Sequence, residues 1–373
     1  MPAPGTRLDP SVRLLLRMLR EPPLALGASE RDWDGVVRVA RASRLLAPLG
    51  ARLADGGVLE RMPPAVRSHV ESEQALAAHC AQMARRLLGE LERIFGGGGF
   101  PVVVLKGAAY LAQGLAVARG RQFSDVDLLV PRAHLDAAER LLRETGWQFG
   151  ELDAYDERYY REWSHELPPL QHPQQALQLD LHHSILPPTG RVRPDDAALF
   201  AAAVVVDGTS FRALSPADQV LHACAHVFQD SDLFEMFRDL VDLDGLLREF
   251  GSQPGFWDAL IVRARLHRLG RALWYGLDFC AELLATPVPD GTWTSLGFAR
   301  PGPLVRWAMS GIGQRALLPE SPDRLPSFVR RSARRILLLR YLWLRFPLRL
   351  LALHAAAKGG RRLRQRQVRL LEP

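Results

Sequence analysis

Lysine is nearly missing from this chain. Of its 48 basic residues only Lys106 and Lys358 are lysines; the rest are arginines. Cysteine is scarce too. Cys80, Cys224 and Cys280 stand far apart, which excludes a disulfide framework and a cysteine metal motif and points to a reducing, cytoplasmic setting. The opening MPAPGTRLDP has no basic segment followed by an apolar core, so no secretory leader is expected. Three motifs are absent as well. Without G-x-x-x-x-G-K-[ST] or G-x-G-x-x-G there is no support for a P-loop or a dinucleotide fold, and without H-E-x-x-H none for a zinc peptidase helix.

What is present is ordinary in bulk and unequal in distribution. The 373 residues are 47% hydrophobic and 24% charged, enough for two or three domains with their own cores. From Ser327 onward there are 13 basic side chains and one acid, Glu372; before it stand 35 basic and 40 acidic ones. The net charge of +7 therefore divides into a mildly acidic body and a strongly basic tail suited to an anionic partner.

Periodicity divides the chain further. Residues 1–95 read as helical, ending in a long helix from the prolines at 63 and 64 to the glycine run at 96–99. Residues 96–214 alternate strands and helices: PVVVL, GAAYLAQGLA, VDLLV, AHLDAAERLLRETG, ALQLDLHHSIL and AAVVVDGTSFRAL. Residues 215–320 are helical again, capped by Ser215 with Pro216 behind it, and pass into a loop rich in Pro, Gly and Thr beyond 285. Residues 321–373 form a basic amphipathic tail.

D-x-D occurs four times, as Asp32/Asp34, Asp125/Asp127, Asp230/Asp232 and Asp242/Asp244. Three of the pairs sit in helical patterns, where solvated caps or first-turn acids are expected. Asp125 and Asp127 open an apolar strand, so both project to one face. Two carboxylates there are costly to desolvate without a cation, and oxygen ligands at this spacing suit Mg²⁺ or Mn²⁺. The plain alternative is a pair of turn residues. Upstream, Lys106-Gly107 stands where a strand turns into a helix. A helix N-terminus with glycine and an ammonium suits phosphate, although a lone strand-end lysine commonly just reaches to water. Asp180 alternates with Leu179 and Leu181 and shares a face with Gln178 and His182. Beside the first strand it would complete a three-carboxylate metal site or serve as general base; pattern alone does not separate that from a solvated sheet face.

At these residues the chain resembles the nucleotidyltransferase superfamily that includes DNA polymerase β and kanamycin nucleotidyltransferase. It is most similar to that superfamily's bacterial uncharacterised nucleotidyltransferase family. The shared pattern is Lys106-Gly107, Arg121 and then Asp125, Asp127, Leu128 and Val130, with LDLHHSILP, LSPADQVLHACAH and RDLVDLDGLL further on, over roughly residues 70 to 250. KGAAYL and RQFSDVDL are also similar to nucleotidyltransferase toxins of abortive-infection systems. The resemblance implies an α+β protein with a mixed-sheet nucleotidyltransferase core between N- and C-terminal helical regions. It also implies NMP transfer from an NTP to a hydroxyl acceptor, with metal on Asp125 and Asp127 and with Asp180 as third acid. Lys106, Gly107, Arg121 and Ser124 would face the nucleotide, Ser124 supplying the hydroxyl that the superfamily's Gly-Ser loop normally carries. His165 and His182 match histidines of the relatives and would face substrate.

Other features carry two readings each. His165 is a phosphate contact or a surface-loop histidine; His222 and His226, spaced i, i+4, are metal ligands or packing groups; Tyr159, Tyr160 and Trp163 stack a base or fill a core. Arg238, Asp239 and Asp242 read as a helical charge pattern bracing two regions. In the tail, residues 327–373, arginines interrupt every apolar run, and each would cost about 2.5–3.5 kcal/mol at a bilayer centre. A span is therefore not expected. An interfacial helix at an anionic membrane, with Tyr341 and Trp343 at headgroup level, and a helix packed on the protein with its arginines in water both remain. Nucleic acid has charge in its favour but no reading module. The rival to an enzyme is a protein that keeps the fold for binding or membrane recruitment; a toxin-like enzyme acting on RNA is a third reading.

Overall fold

The structure, a computed structural model, describes residues 8–229 and 236–353. Local signals start the first helices. Asp9 accepts the N–H of Ser11 at 2.9 Å ahead of α1 (Pro10–Arg20), and Ser29 with Asp32 closes a reciprocal capping box on α2 (Glu30–Ala42). We expect Ser29→Ala to lower stability by about 1 kcal/mol in urea denaturation, since it leaves a first-turn N–H without its acceptor. Next come α3 (Leu46–Asp55) and the 32-residue α4 (Pro64–Phe95), which runs from its prolines to the glycines as the pattern predicts.

Seven short strands make one mixed sheet in the order β3–β4–β5–β2–β1–β7–β6. Its centre is β1 (Val103–Val104), antiparallel to β2 (Asp125–Leu129), which is parallel to β5 (Gln178–His182). In β2 the apolar Val126, Leu128 and Leu129 are buried, and two helices pack on the strand, α4 and α5 (Lys106–Ala112). After β2 come α6 (Leu135–Glu144), β3 (Gln148–Phe149), α7 (Ala154–Arg158) and β4 (Leu170–Gln171). After β5 come α8 (Asp196–Ala201) and the hairpin β6 (Val204–Val205) to β7 (Arg212–Ala213). The edge strand β3 and its neighbour β4 escaped the sequence reading because two residues carry no periodicity.

The remaining helices are α9 (Pro216–Gln229), α10 (Met236–Phe250), α11 (Phe256–Leu266), α12 (Gly270–Leu284), α13 (Asp290–Ser295), α14 (Pro303–Leu317) and α15 (Phe328–Arg345). The short α13 lies where the sequence reads as loop. Buried side chains from the first helices, the sheet and the last helices form one continuous core. Arg20 donates to the carbonyls of Glu282 and Leu283, and Arg52 to Asp244 at 2.7 Å, so the N-terminal helices are bonded to the C-terminal ones.

The helical D-x-D pairs differ from one another. Asp32 caps α2 and Asp34 pairs with Arg38 at the surface, as expected. Asp230/Asp232 lies outside the described residues. Asp242 and Asp244 are buried, contrary to the solvated reading. Asp242 pairs with Arg121; Asp244 accepts from Arg52, Arg248 and Thr286. Arg121 and Arg52 arrive from distant elements and Arg248 from the next turn of α10, none of which an i, i+2 spacing reveals.

Candidate active site

Register brings the acids together. In the β2–β5 pair Asp127 stands directly opposite Asp180, and Asp125 opposite Gln178. Alternation sends Asp125, Asp127 and Asp180 to the same face, with His182 at its end. Asp127 is almost fully buried. Burial alone would raise its pKa, but the Lys106 ammonium at 2.8 Å and the His182 Nε2 at 3.0 Å outweigh that and hold the carboxylate well below its usual range. His182 is fully buried, which would favour the neutral ring. Its bond to Asp127 and the nearby charge of Glu166, whose Oε2 is 3.4 Å from Nε2, raise its pKa instead. Because a carboxylate only accepts, Nε2 carries the hydrogen and donates it to Asp127.

Asp180 has the opposite fate. Burial first, then the charges of Asp127 and Glu166, push its carboxyl up to about 7, and its Oδ1 is buried without a hydrogen-bond partner. Asp125 is raised too, by burial and then by Asp127, against the pull of Lys106, Arg121 and Arg238. Two perturbed carboxyls flanking a third, with an orphaned oxygen, form a site short of positive charge.

Lys106 lies at φ +48°, in the left-handed region that costs a non-glycine residue roughly 1–2 kcal/mol. Its ion pair to Asp127 and the bond from Leu105 N–H to the Asp127 carbonyl at 2.9 Å hold it there. Strain of this kind concentrates at functional sites. Gly107 is buried and makes room for a side chain: a Cβ at 107 would lie 2.3 Å from Arg121 Nε. Arg121, buried above it, pairs with Asp242 on α10. Gly107→Ala should therefore dislodge Arg121 and lower stability by about 1–3 kcal/mol, read from thermal unfolding. Were Gly107 merely an approach for phosphate, the unfolding midpoint would not move. Ser124 is exposed just before Asp125, its carbonyl accepting from Gln178 N–H at 3.3 Å.

Beside this cluster stand residues the sequence placed elsewhere or missed. His165 is not a surface-loop histidine. It is buried, its ring 5.3 Å from that of His182, because an isolated bridge from Glu166 to His182 lays its segment along β5. Glu166 was missed; only its place after His165 in SHEL could have flagged it. Among the described residues, His165, Glu166 and His182 are the three potential ligands whose donor atoms all lie within 4.8 Å of one another. The aspartates are spread more widely, and His182 could join such a trio through Nε2 only by giving up the hydrogen it donates to Asp127.

Arg345 reaches in from α15, bonded to Tyr341 and 3.4 Å from the Ser164 hydroxyl, and lines a crevice with Lys106, His165, His222 and His226. The basic tail thus supplies a cation beside the site. His222 is buried with a depressed pKa, from burial and then Lys106, and His226 pairs with Asp239 at 3.4 Å. Asp239 also accepts from Arg238, so the α10 charges brace α9 and the Arg121 loop. Trp163 is buried against Tyr155 and Tyr159, in agreement with packing.

The residues fit a divalent cation. The test is Asp180: its buried carboxylate oxygen has no hydrogen-bond partner and stands near other acids, so it is free to take a cation.

The class of protein follows from comparison. The chain is a nucleotidyltransferase by family: the model described as an uncharacterised nucleotidyltransferase matches residues 29–285, and the protein belongs to that family. No curated protein and no solved structure matches it significantly. The seven-stranded mixed sheet with its many helices is consistent with the family's α+β fold.

Proposed function

We propose that the protein transfers a nucleoside monophosphate from an NTP to a hydroxyl acceptor, with Mg²⁺ or Mn²⁺ held by Asp125, Asp127 and Asp180. The observation that carries this is the juxtaposition of Asp127 and Asp180 across the β2–β5 register, with the Asp180 oxygen unpaired. The ion, when bound, would neutralise the triphosphate and acidify the attacking hydroxyl.

The chain's own groups have separable tasks. Lys106 steadies Asp127 and can share its ammonium with a phosphate oxygen. His182, fixed between Asp127 and Glu166, sets the orientation of Asp127. Asp180 is ligand or, with its raised pKa, acceptor of the hydroxyl proton. Ser124 and Arg121 border the nucleotide side, and Arg121 couples that side to α10. His165 and Arg345 line a narrow crevice that also reaches Lys106.

The test uses each of the four NTPs labelled at the α-phosphate, with Mg²⁺ or Mn²⁺ and separate RNA, protein and small-molecule acceptor pools. The expected result is label transfer with matching pyrophosphate release, lost in Asp125→Asn. Absence of both pyrophosphate release and metal-dependent NTP binding would overturn the proposal and leave the fold as a binding module.

A further inference from the structure

We infer that α15 is a docking surface for an anionic membrane. The helix is built inside out. Arg330 bonds to the carbonyls of Leu318 and Pro319 and pairs with Glu320, Arg340 donates to the carbonyl of Phe228, and Arg345 turns inward to Tyr341 and Ser164. Ala333 and Leu337 face the protein, but the larger share of the apolar side chains turns outward. Phe328 and Leu339 are 72% and 65% exposed, and Val329, Ile336, Leu338 and Trp343 are exposed as well. Leu325, just before the helix, is 92% exposed. On α14, which packs against α15, Leu304 and Trp307 are also in water. Tyr341, expected at headgroup level, is instead buried against the protein.

A continuous apolar arc of this kind on a monomer marks a surface meant to be covered. Two features select lipid as the cover. Arg331 and Arg335 are exposed on the same arc, one turn apart, where they would meet headgroup phosphates while Phe328 and Leu339 enter the acyl boundary. Beyond the described residues the chain runs on with six Lys or Arg among residues 354–373 and a single acid, Glu372. Such a segment adds attraction to an anionic surface and is too polar to serve as the apolar cover itself. Two copies of the face in contact would set their exposed arginines against each other. Insertion is shallow: among the described residues no helix is long and apolar enough to cross a membrane. Because Arg345 lies on the same helix and lines the crevice beside His165, docking would set the candidate site near the lipid surface.

The experiment floats the full-length protein with phosphatidylcholine vesicles and with vesicles containing phosphatidylglycerol, at low and at 0.5 M salt, about three times the ionic strength of the cell. Wild type should float with the anionic vesicles only, and less at high salt. Leu339→Glu combined with Phe328→Glu, both at exposed positions, should reduce binding about tenfold or more with an unchanged unfolding midpoint. Arg331→Glu with Arg335→Glu should remove the preference for anionic lipid. Equal flotation of wild type and the Leu339/Phe328 variant would overturn the inference by assigning binding to the tail charge alone. So would no flotation at all, or a dimer in light scattering that the same variant dissociates without any lipid binding.

Discussion

Asp180→Asn should stabilise the protein and remove its transferase activity. In EDTA, Asp180 is a buried carboxyl pushed up to about 7 that faces two like charges and gains nothing at Oδ1. Its folded pKa exceeds the usual carboxyl value. The folded state therefore holds a proton that the unfolded chain has lost between about pH 4 and 7, and stability falls as pH rises through that window. An amide removes both the charge and the slope. The variant should exceed wild type by on the order of 2 kcal/mol at pH 8 and match it near pH 4, read from metal-free urea denaturation at several pH values. Label transfer should drop by about 10²–10³-fold. Wild type and variant with the same pH profile would show that Asp180 is not under this pressure. Asp127→Asn should also lose activity but with the opposite effect on stability, because it strips the anion from Lys106 and His182.

Asp218→Ala should be among the most damaging single changes outside the acid cluster, at about 3–5 kcal/mol. The carboxylate is fully buried and accepts from both Nε and Nη2 of Arg263, at 2.8 and 2.6 Å, from the Ser215 hydroxyl at 2.7 Å, and lies 3.2 Å from His267 Nε2. Burial alone would raise its pKa; these partners reverse that and hold it below the usual value. Its contribution is present above the ordinary carboxyl pKa and is lost as pH falls through the depressed one, so Asp218 belongs to the acid limb of stability. Removing it leaves Arg263 and the buried His267 without their anion. Asp244→Ala should cost less, because its partners Arg52 and Arg248 are 21% and 40% exposed in their side chains and can turn to water. A urea midpoint for Asp218→Ala within error of wild type would refute this ordering.

Much of the site was legible before any coordinates. Alternation puts Asp125 with Asp127, and Asp180 with His182, on one face of each strand. Family resemblance marks Lys106 and Arg121 in addition. What pattern could not supply was any assignment of partners. Lys106 reads as a phosphate group, yet its bond is to Asp127 21 residues on; Gly107 reads as an opening for ligand and is filled by Arg121. Glu166 has no signal of its own, since its role comes from one bridge to His182.

The chain by itself determined the order of the longer helices and central strands and the face on which the acids lie, because periods of 3.6 and 2 are local properties of neighbouring residues; the α+β class came from the family resemblance. Tertiary structure alone decided which D-x-D pair gathers a third acid, why Asp244 is buried, and that α15 turns its arginines inward and its apolar side out. Those outcomes depend on charges and carbonyls tens to hundreds of residues away, as with Arg52 and Asp244, 192 positions apart. The Coulomb and desolvation energies that settle them are functions of distance in space and carry no trace in sequence spacing.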